Sequence, residues 1–454
     1  MKVLKFGGTS VGTTESLRNV KAIVDGLDSP AVVVVSALGG LTDKLIATSR
    51  MAASADPAFR EEMESIRRRH LEIIDNVVPA DRKEDILSAV NALLDELSDI
   101  YTGLSLIKDL PHKTLDAVVS YGERMSSVIV AAMLNDARHV DSLDVIRTEK
   151  WFNRDIAERQ LTDSGIRKAI PLPLARTVVA GGFISRDKDS GDITNLGRGG
   201  SDYTAALMAA ALDAECLEIW TDVDGFMTAD PRIIKDARVI PHMSFVESME
   251  LCSFGAKVIY PPTIYPVFHK NIPIKILNTH NPSAPGTLIT DSSPRGKGGV
   301  RGISPMRDTA VITIEGDLTS NVAEINTRTY NAMARNGISI FLVAQPDREA
   351  SFSFSLTAKE ADKALRILES EFAPELQNGD IKRISKTCGL SIIAVVGEGI
   401  NELNGLEGRI SYTLRRNDIE VLAVSNGASE TTVAIVVPDA MVNKALALVH
   451  DTCF

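Results

Sequence analysis

The sequence predicts an α/β protein in which a parallel sheet covered by helices is followed by two smaller α+β units. Three observations predict it: strand-like runs alternate with helical patterns over residues 1–280, breaker residues cluster at 281–299, and a repeat follows. A chain of 454 residues is long enough for about three domains, which agrees with this division.

The first part of the chain alternates buried strands with helices. Residues 3–6 and 31–36 are apolar except for Lys5 and Ser36, as is typical of strands buried on both faces, and residues 15–27 between them have helical spacing. Strand, helix and strand in this order predict a parallel sheet. Further strands and an Ala-rich helix are predicted at residues 177–183, 204–214, 216–221 and 272–278.

One segment of the first part lacks strand-like runs. Residues 56–108 are charged and amphipathic over their whole length, with apolar residues at helical spacing. We therefore expect a helical insertion here, within a first domain that covers residues 1–290.

The last part of the chain contains an internal repeat. After a Gly/Pro/Ser-rich linker at 291–303, residues 335–345 recur 81 residues later as residues 416–426. Each copy has the pattern strand, helix, strand, turn, strand, helix, which predicts two α+β units at 304–384 and 385–454. A duplicated module behind an α/β domain suggests regulation, although such modules also serve only to dimerise.

Composition excludes several classes of function. Forty-nine Lys and Arg against 60 Asp and Glu give a net charge of −11, which disfavours non-specific nucleic-acid binding and requires local positive charge for any anionic substrate. The four cysteines are dispersed and the seven histidines lack metal-ligand spacing, so we expect a cytoplasmic protein without a protein-bound metal. The longest apolar stretch, residues 31–35, is far shorter than the ~20 residues of a membrane span, so no membrane partner is expected.

A glycine-rich loop follows the first predicted strand. Lys5 is followed by Gly7, Gly8, Thr9 and Ser10, which lead into a helix whose N-terminal N–H groups could hold a phosphate. A plain strand-to-helix turn is the alternative. Because GxxxxGK[ST], HRD and DFG sequences are absent, Walker-type NTPases and protein kinases are disfavoured.

A second glycine-rich loop precedes the predicted Ala-rich helix. Arg198, Gly199, Gly200, Ser201 and Asp202 follow one another there. The guanidinium of Arg198 suits a carboxylate or a phosphate. Asp202 could be a helix N-cap or a catalytic carboxylate, and the sequence leaves both roles open.

Three further motifs could carry chemistry. Glu123 precedes an apolar helix at residues 125–134 and could bind an ammonium group or complement the helix dipole. Residues 221–232 follow a strand end, where ligands bind in parallel sheets, although Asp-Gly and Asp-Pro also form ordinary turns. Lys257 lies beside a glycine turn and, taken alone, is typical of exposed surface.

Together these motifs resemble those of a known family. KFGGTS, SYGER, GRGGSDYTA, TDVDG with TADPR, and FGAKVIYPPT occur in the order found in aspartate kinases of the amino-acid kinase superfamily, and the repeat resembles their tandem ACT domains. The resemblance implies an eight-stranded, mostly parallel α/β/α sandwich with ferredoxin-like ACT units. It also implies transfer of the γ-phosphoryl group of ATP, with Mg²⁺ on the phosphates, to L-aspartate. This is the first step of lysine, threonine and methionine biosynthesis.

The resemblance also implies roles for individual residues. Lys5 and Asp202 would be catalytic. The aspartate contacts would be Thr42, Glu123, Arg198, Gly199, Gly200 and Ser201. The nucleotide contacts would be Lys5, Gly7, Gly8, Thr9, Ser10, Thr221, Asp222, Arg232, Lys257 and Val258. Lysine, threonine or both would inhibit from the ACT units, which would also form a homo-oligomer; the effector contacts would be Asn336, Ile338, Gln345, Asn417, Ile419 and Asn426.

The residue types agree with this chemistry. A carboxylate acceptor with a pKa near ~4 is ionised at pH 7, so no general base is needed. Repulsion between acceptor and triphosphate, about 4 kcal/mol for unit charges ~4 Å apart, must be offset by Lys5, Lys257 and Mg²⁺. Two alternatives remain: a kinase of the same fold with another carboxylate acceptor, and an inactive amino-acid sensor of the ACT type. The intact Lys5 and Asp202 disfavour the sensor.

Overall fold

The chain divides into two compact units. The computed structural model describes residues 1–151, 154–292, 299–316, 322–344, 351–403, 405–426 and 431–454. The first unit comprises Met1–Phe226, Pro241–Phe245 and Val258–Ser292, and the second comprises Met227–Ile240, Val246–Lys257 and Ser293–Phe454. None of the helices in these described ranges has the length and apolar character needed to cross a membrane.

Strands and helices alternate along residues 1–292. The strands are β1 (Lys2–Phe6), β2 (Val32–Val35), β3 (Ala137–Val140), β4 (Arg147–Trp151), β5 (Arg154–Ala157), β6 (Thr177–Gly181), β7 (Ile184–Asp187), β8 (Ile193–Asn195), β9 (Cys216–Thr221), β10 (His242–Ser244), β11 (Ile274–Asn278) and β12 (Thr287–Thr290). The helices are α1 (Thr14–Asp25), α2 (Leu41–Ala53), α3 (Phe59–Val77), α4 (Ala80–Ile107), α5 (His112–Met133), α6 (Ser142–Val145), α7 (Arg159–Ala169), α8 (Gly200–Ala211), α9 (Phe245–Ser253) and α10 (Tyr265–Phe268).

The central sheet of the first unit has eight strands in the order β10-β12-β11-β9-β1-β2-β6-β3. All neighbours are parallel except β11 and β12, which confirms the mostly parallel sheet expected from the sequence. The four valines of β2 are fully buried, because helices cover both faces of a parallel sheet. The carboxyl ends of β1, β2 and β9 therefore lie side by side.

A second, four-stranded sheet in the order β5-β4-β7-β8 was not expected. Its strands are short and rich in charged residues, as in the sequence RTEKW of β4. Such strands carry no apolar alternation, so the pattern that reveals buried strands does not reveal them.

Helices α3 and α4 occupy the segment predicted as a helical insertion. The buried residues of α3, among them Met63, Ile66 and Ile73, recur at helical spacing. They belong to the same apolar core as Leu94 and Leu97 of α4. The insertion is thus packed into the first unit by its apolar faces.

Two helices begin earlier than the sequence indicated. α5 begins at His112 rather than at residue 125, because Gly122 is a close-packing site and not a helix break: a Cβ there would lie 2.7 Å from the Cβ of Ala37. α8 begins at Gly200 rather than at residue 204, and its N-cap is Gly199 with a φ of +71°. Asp202 is therefore the third helical residue and caps nothing with its side chain.

The second unit contains a six-stranded sheet in the order β14-β15-β13-β16-β18-β17. Its strands are β13 (Gly302–Gly316), β14 (Leu342–Ala344), β15 (Ser351–Thr357), β16 (Ile381–Val396), β17 (Ala423–Asn426) and β18 (Thr432–Pro438). Its helices are α11 (Val322–Arg335), α12 (Ala358–Glu371), α13 (Ala373–Asn378), α14 (Leu406–Arg416) and α15 (Val442–Cys453).

The two repeats share the long strands β13 and β16. The second half of β13 pairs with β15 and with the first half of β16, while residues 302–306 pair with the second half of β16, which also pairs with β18. Each repeat therefore has four strands, two of which are half-strands continuous with the other repeat. The predicted boundary at 384/385 lies inside β16.

Candidate active site

A cavity of about 350 Å³ opens in the first unit where β1 and β2 end and α8 begins. This is the edge of a parallel sheet at which ligands bind, since strand ends and helix N-termini converge there. It is lined by Lys5, Gly8, Ser36, Ala37, Leu38, Gly39, Gly40, Thr42, Glu123, Phe183, Gly197, Gly199, Gly200, Ser201 and Asp202.

An ion pair lies in this cavity. Nζ of Lys5, near the end of β1, is 2.7 Å from Oδ1 of Asp202 in the first turn of α8. The two side chains are only 11% and 12% exposed, so water screens the pair weakly. Gly7 is close as well, because a Cβ there would lie 3.5 Å from the Lys5 ammonium. The arrangement holds one positive charge in a fixed position at the cavity wall.

The wall beside this pair is formed by closely packed glycines. We call residues 7–12 the first glycine loop and residues 36–40 the second glycine loop; they follow β1 and β2. A Cβ on Gly39 would lie 3.0 Å from the carbonyl oxygen of Gly8, and a Cβ on Gly8 would lie 3.2 Å from that of Ala37. The two loops thus touch through their backbones, and a side chain at Gly8 or Gly39 would push them apart.

Glu123 supplies an acidic group at another part of the cavity. Its side chain is 4% exposed, Oε1 accepts a hydrogen bond from the backbone N–H of Ala37 at 3.1 Å, and Oε2 has no partner among the described residues. Burial raises the pKa of this carboxyl to about 8. Because α5 begins at His112, Glu123 is an interior helical residue and does not complement the helix dipole. A ligand cation would satisfy its unpaired oxygen.

Several residues predicted to bind the nucleotide lie outside the cavity lining. Ser10 is buried, and its hydroxyl shares a hydrogen bond of 2.7 Å with the hydroxyl of Thr279. Thr221 ends β9, and its hydroxyl donates to Asp222 at 3.2 Å. Arg198, predicted to contact the acceptor, lies 5.8 Å from the ring centre of Tyr260. Gly7, Thr9 and Val258 are also absent from the lining.

Two further nucleotide candidates belong to the second unit. Arg232 donates to Asp230 in a bidentate pair, with an Nη2–Oδ2 distance of 2.7 Å, and its side chain is 83% exposed. Lys257 is exposed in the segment that follows α9.

Within the described ranges, no group of three or more His, Cys, Asp or Glu side chains could hold a metal ion.

Comparison with known proteins shows the family. Residues 1–278 match the amino acid kinase family. The chain belongs to the amino acid kinase family. Residues 312–372 and 393–453 of this kinase-family chain each match the ACT domain, so the duplicated α+β unit is a pair of ACT domains, as the sequence suggested.

Relatives of this kinase-family chain include aspartokinases. It is 33% identical to the bifunctional aspartokinase/homoserine dehydrogenase of Haemophilus influenzae, over 100% of this chain and 56% of that protein. It is 29% identical to the chloroplastic aspartokinase 1 of Arabidopsis thaliana, over 100% of this chain and 80% of that protein. The chain spans about half the length of the bifunctional relatives it matches.

Solved structures with a similar fold are also aspartokinases. The R-state Escherichia coli aspartokinase III in complex with aspartate and ADP has a TM-score of 0.84 and 26% identity, over 100% of this chain and 99% of that one. The T-state complex of the same enzyme with lysine and aspartate has a TM-score of 0.77 and 26% identity, with the same coverage.

Four of the six predicted effector residues of the ACT domains have described side chains. Asn336 and Asn417 directly follow α11 and α14, and each side chain donates to the carbonyl four residues earlier, at 2.9 Å. Ile338 and Ile419 are buried in the cores of the two ACT domains. The remaining candidates lie outside the described residues: Gln345, and the side chain of Asn426.

Part of the cavity lining was not predicted from the sequence. The missed lining residues are Ser36, Ala37, Leu38, Gly39, Gly40, Phe183 and Gly197. A signal was present for most of them, because Gly39 and Gly40 follow the all-valine strand β2 as Gly7 and Gly8 follow β1. Adjacent parallel strands bring such loops to the same edge of the sheet.

Proposed function

We propose that the chain is an aspartate kinase, which transfers the γ-phosphoryl group of MgATP to the β-carboxylate of L-aspartate. The observation that carries the proposal is the cavity with a shielded cation at one wall and a buried, half-satisfied carboxyl at another. A phosphoryl donor needs the first charge and the ammonium of an amino acid needs the second. The likeness to aspartokinase III, which binds aspartate and ADP, supports the same assignment.

The acceptor would bind between α5 and α8. Oε2 of Glu123 would accept from the α-ammonium group, which replaces its missing partner. The N-terminus of α8, with Gly199, Gly200 and Ser201, presents the positive end of the helix dipole, to which a substrate carboxylate would bind. Thr42 in the cavity and Arg198, next to Gly199 in the chain, would complete the recognition of the acceptor.

Lys5 would act on the phosphoryl group in transfer. A β-carboxylate oxygen of aspartate attacks the γ-phosphorus, the bond to the bridging oxygen breaks, and ADP leaves, so no proton has to be removed from the nucleophile. The ammonium of Lys5 would neutralise charge on the phosphoryl oxygens, and Asp202 would keep that ammonium in place. Magnesium, supplied with the nucleotide, would neutralise further phosphate charge.

The remaining nucleotide contacts are proposed on the family motifs. They are Gly7, Gly8, Thr9, Ser10, Thr221, Asp222, Arg232, Lys257 and Val258. The adjacent carboxyl ends of β1 and β9, paired through Phe6 and Trp220, place Gly7 and Thr221 at one edge of the sheet.

The experiment is an acyl-phosphate trap. Purified protein with MgATP, hydroxylamine and L-aspartate should form the hydroxamate, while glutamate and N-acetylglutamate should not replace aspartate. Lys5→Met should lower turnover by roughly 10²–10³-fold, the usual effect of removing a preorganised donor from a developing charge. Lys2→Met, at the other end of the same strand, is the control and should stay within about threefold of wild type.

Other results would assign the protein differently. Hydroxamate with another carboxylate acceptor only would establish a kinase of different specificity. No hydroxamate with any acceptor, together with tight amino-acid binding, would establish the sensor alternative.

We also propose that lysine or threonine inhibits through the ACT domains, that these domains form a homo-oligomer, and that the protein is cytoplasmic. The tandem ACT match and the lysine complex of aspartokinase III support inhibition, and the dispersed cysteines of the sequence suit a reducing compartment. Hydroxamate assays with each amino acid and light scattering of the purified protein test the first two. Turnover that neither amino acid changes would contradict the inhibition.

A further inference from the structure

One arginine of the helical insertion bonds to both glycine loops of the cavity. Nη2 of Arg69, in α3, donates to the carbonyl oxygen of Gly12 at 3.0 Å and to that of Gly39 at 2.8 Å. Gly12 ends the first glycine loop, after β1, and Gly39 belongs to the second, after β2. A single guanidinium nitrogen therefore joins two segments that follow neighbouring strands of the sheet.

The backbone contacts leave little room for these loops to shift. A Cβ on Gly12 would lie 3.0 Å from the carbonyl oxygen of Gly8 and 3.3 Å from the nitrogen of Gly39. Gly8 and Gly39 both line the cavity. The distance between the two loops therefore sets the shape of the cavity wall, and Arg69 fixes that distance from outside the cavity.

The bond to Gly39 also orients the following peptide group. Because a trans peptide is planar, the carbonyl of Gly39 and the N–H of Gly40 point in opposite directions. Arg69 holds the carbonyl, and Gly40 lines the cavity. The arginine thus orients this peptide plane, in which the N–H of Gly40 points away from the guanidinium.

Arg69 is itself held in place by the insertion. Nζ of Lys44 in α2 lies 2.8 Å from Glu62 and 2.7 Å from the hydroxyl of Ser65, which binds α3 to α2. Arg67 donates to Asp95 of α4 at 2.7 Å. Helix α3 is thus fixed to α2 and to α4 by residues that precede Arg69 in the same helix.

The charge of Arg69 is not neutralised nearby. Among the described residues, no carboxylate lies within 4.0 Å of its guanidinium, and its bonds are to backbone carbonyls. A positive charge behind the glycine loops favours anions in the cavity of a chain whose net charge is −11.

We propose that Arg69 is a positioning residue, which locks the two glycine loops together and so assigns the helical insertion a role in shaping the active site. The consequence for turnover rests on the proposed kinase function, whereas the locking of the loops does not.

The test combines hydrogen exchange with kinetics. In Arg69→Met, peptides covering residues 7–12 and 36–40 should exchange amide hydrogens at least fivefold faster than in wild type, with no comparable change elsewhere in the first unit. Turnover with MgATP and aspartate should fall at least tenfold, with the KM for aspartate within threefold, because the acceptor contacts remain. Arg68→Met, an exposed neighbour on the same helix, removes the same charge and should match wild type in both measurements.

Arg69→Lys keeps the positive charge but shortens the side chain and removes the guanidinium group. It also serves as the test variant if Arg69→Met does not fold. It should loosen the same two loops at least twofold, because an ammonium on a shorter stem cannot reproduce both bonds. Unchanged exchange in both loops of every folded Arg69 variant would overturn the proposal, as would faster exchange spread over the whole unit or an equal loss in Arg68→Met. A wild-type protein that forms no hydroxamate would overturn the kinase function and leave the exchange test in force.

Discussion

Replacing Glu123 by glutamine removes a carboxyl group that burial keeps protonated through neutral pH. Its pKa is raised from 4.5 to about 8, so between these values the folded state binds a proton that the unfolded state has lost. The stability that this proton contributes is complete below pH 4.5 and is lost as the pH rises through 8. The slope is about 1.4 kcal/mol per pH unit well below the folded-state pKa and half of that at the pKa, which amounts to about 2 kcal/mol between pH 6 and 8.

Glutamine has the same shape and keeps an oxygen for the N–H of Ala37, but it does not titrate. Thermal unfolding of wild type and Glu123→Gln at pH 6, 7 and 8 measures the difference. The melting temperature of the variant should rise relative to that of wild type as the pH rises, by about 2–4 °C at pH 8 compared with pH 6. Glu61→Gln, an exposed residue of α3, is the control and should follow wild type.

The same substitution should raise the KM for aspartate and leave the KM for ATP unchanged. Because the ammonium of aspartate pairs with the ionised carboxylate, its binding below pH 8 should release a proton, and its KM should rise up to tenfold per unit as the pH falls from 8. Loss of a charged hydrogen bond should raise the KM of Glu123→Gln by about 10–100-fold. If the stability of variant and wild type changed equally with pH, the raised pKa of the Glu123 carboxyl would be refuted. An unchanged KM for aspartate would refute its role in binding the ammonium group.

Three further perturbations test other parts of the first unit. Asp202→Asn removes the carboxylate that holds the cavity lysine, so turnover in the hydroxamate assay should fall about 10–100-fold while the protein stays folded. Gly182→Ala should lower the free energy of unfolding, measured by denaturant titration, by about 1–3 kcal/mol, because the new Cβ would lie 2.6 Å from that of Ser201. Gly103→Ala, at a helical position with open space around it, is the control and should be neutral or stabilising. Burial lowers the pKa of His70 to about 4, so the folded state resists protonation of this side chain. Between pH 7 and pH 5 the free energy of unfolding of wild type should therefore fall by about 2 kcal/mol more than that of His70→Gln. An equal fall in both proteins would contradict this.

Much of the architecture follows from local sequence. Apolar runs such as that of β2 require burial on both faces, which only a covered parallel sheet provides, and the repeat of 81 residues predicts two similar units. The motifs around Lys5 and Asp202 likewise indicated a phosphate-handling site. These features are visible because each depends on residues that are close in the chain.

Only the tertiary structure decided how these segments meet. It brought Lys5 and Asp202 within 2.7 Å, buried Glu123 inside a long helix, and paired the halves of β13 and β16 across the two ACT domains. The bonds from Arg69 to the two glycine loops have no sequence signal at all, because a backbone carbonyl accepts a hydrogen bond whatever residue bears it. Charge and burial depend on neighbours that are distant in sequence, and those neighbours are set by packing rather than by local pattern.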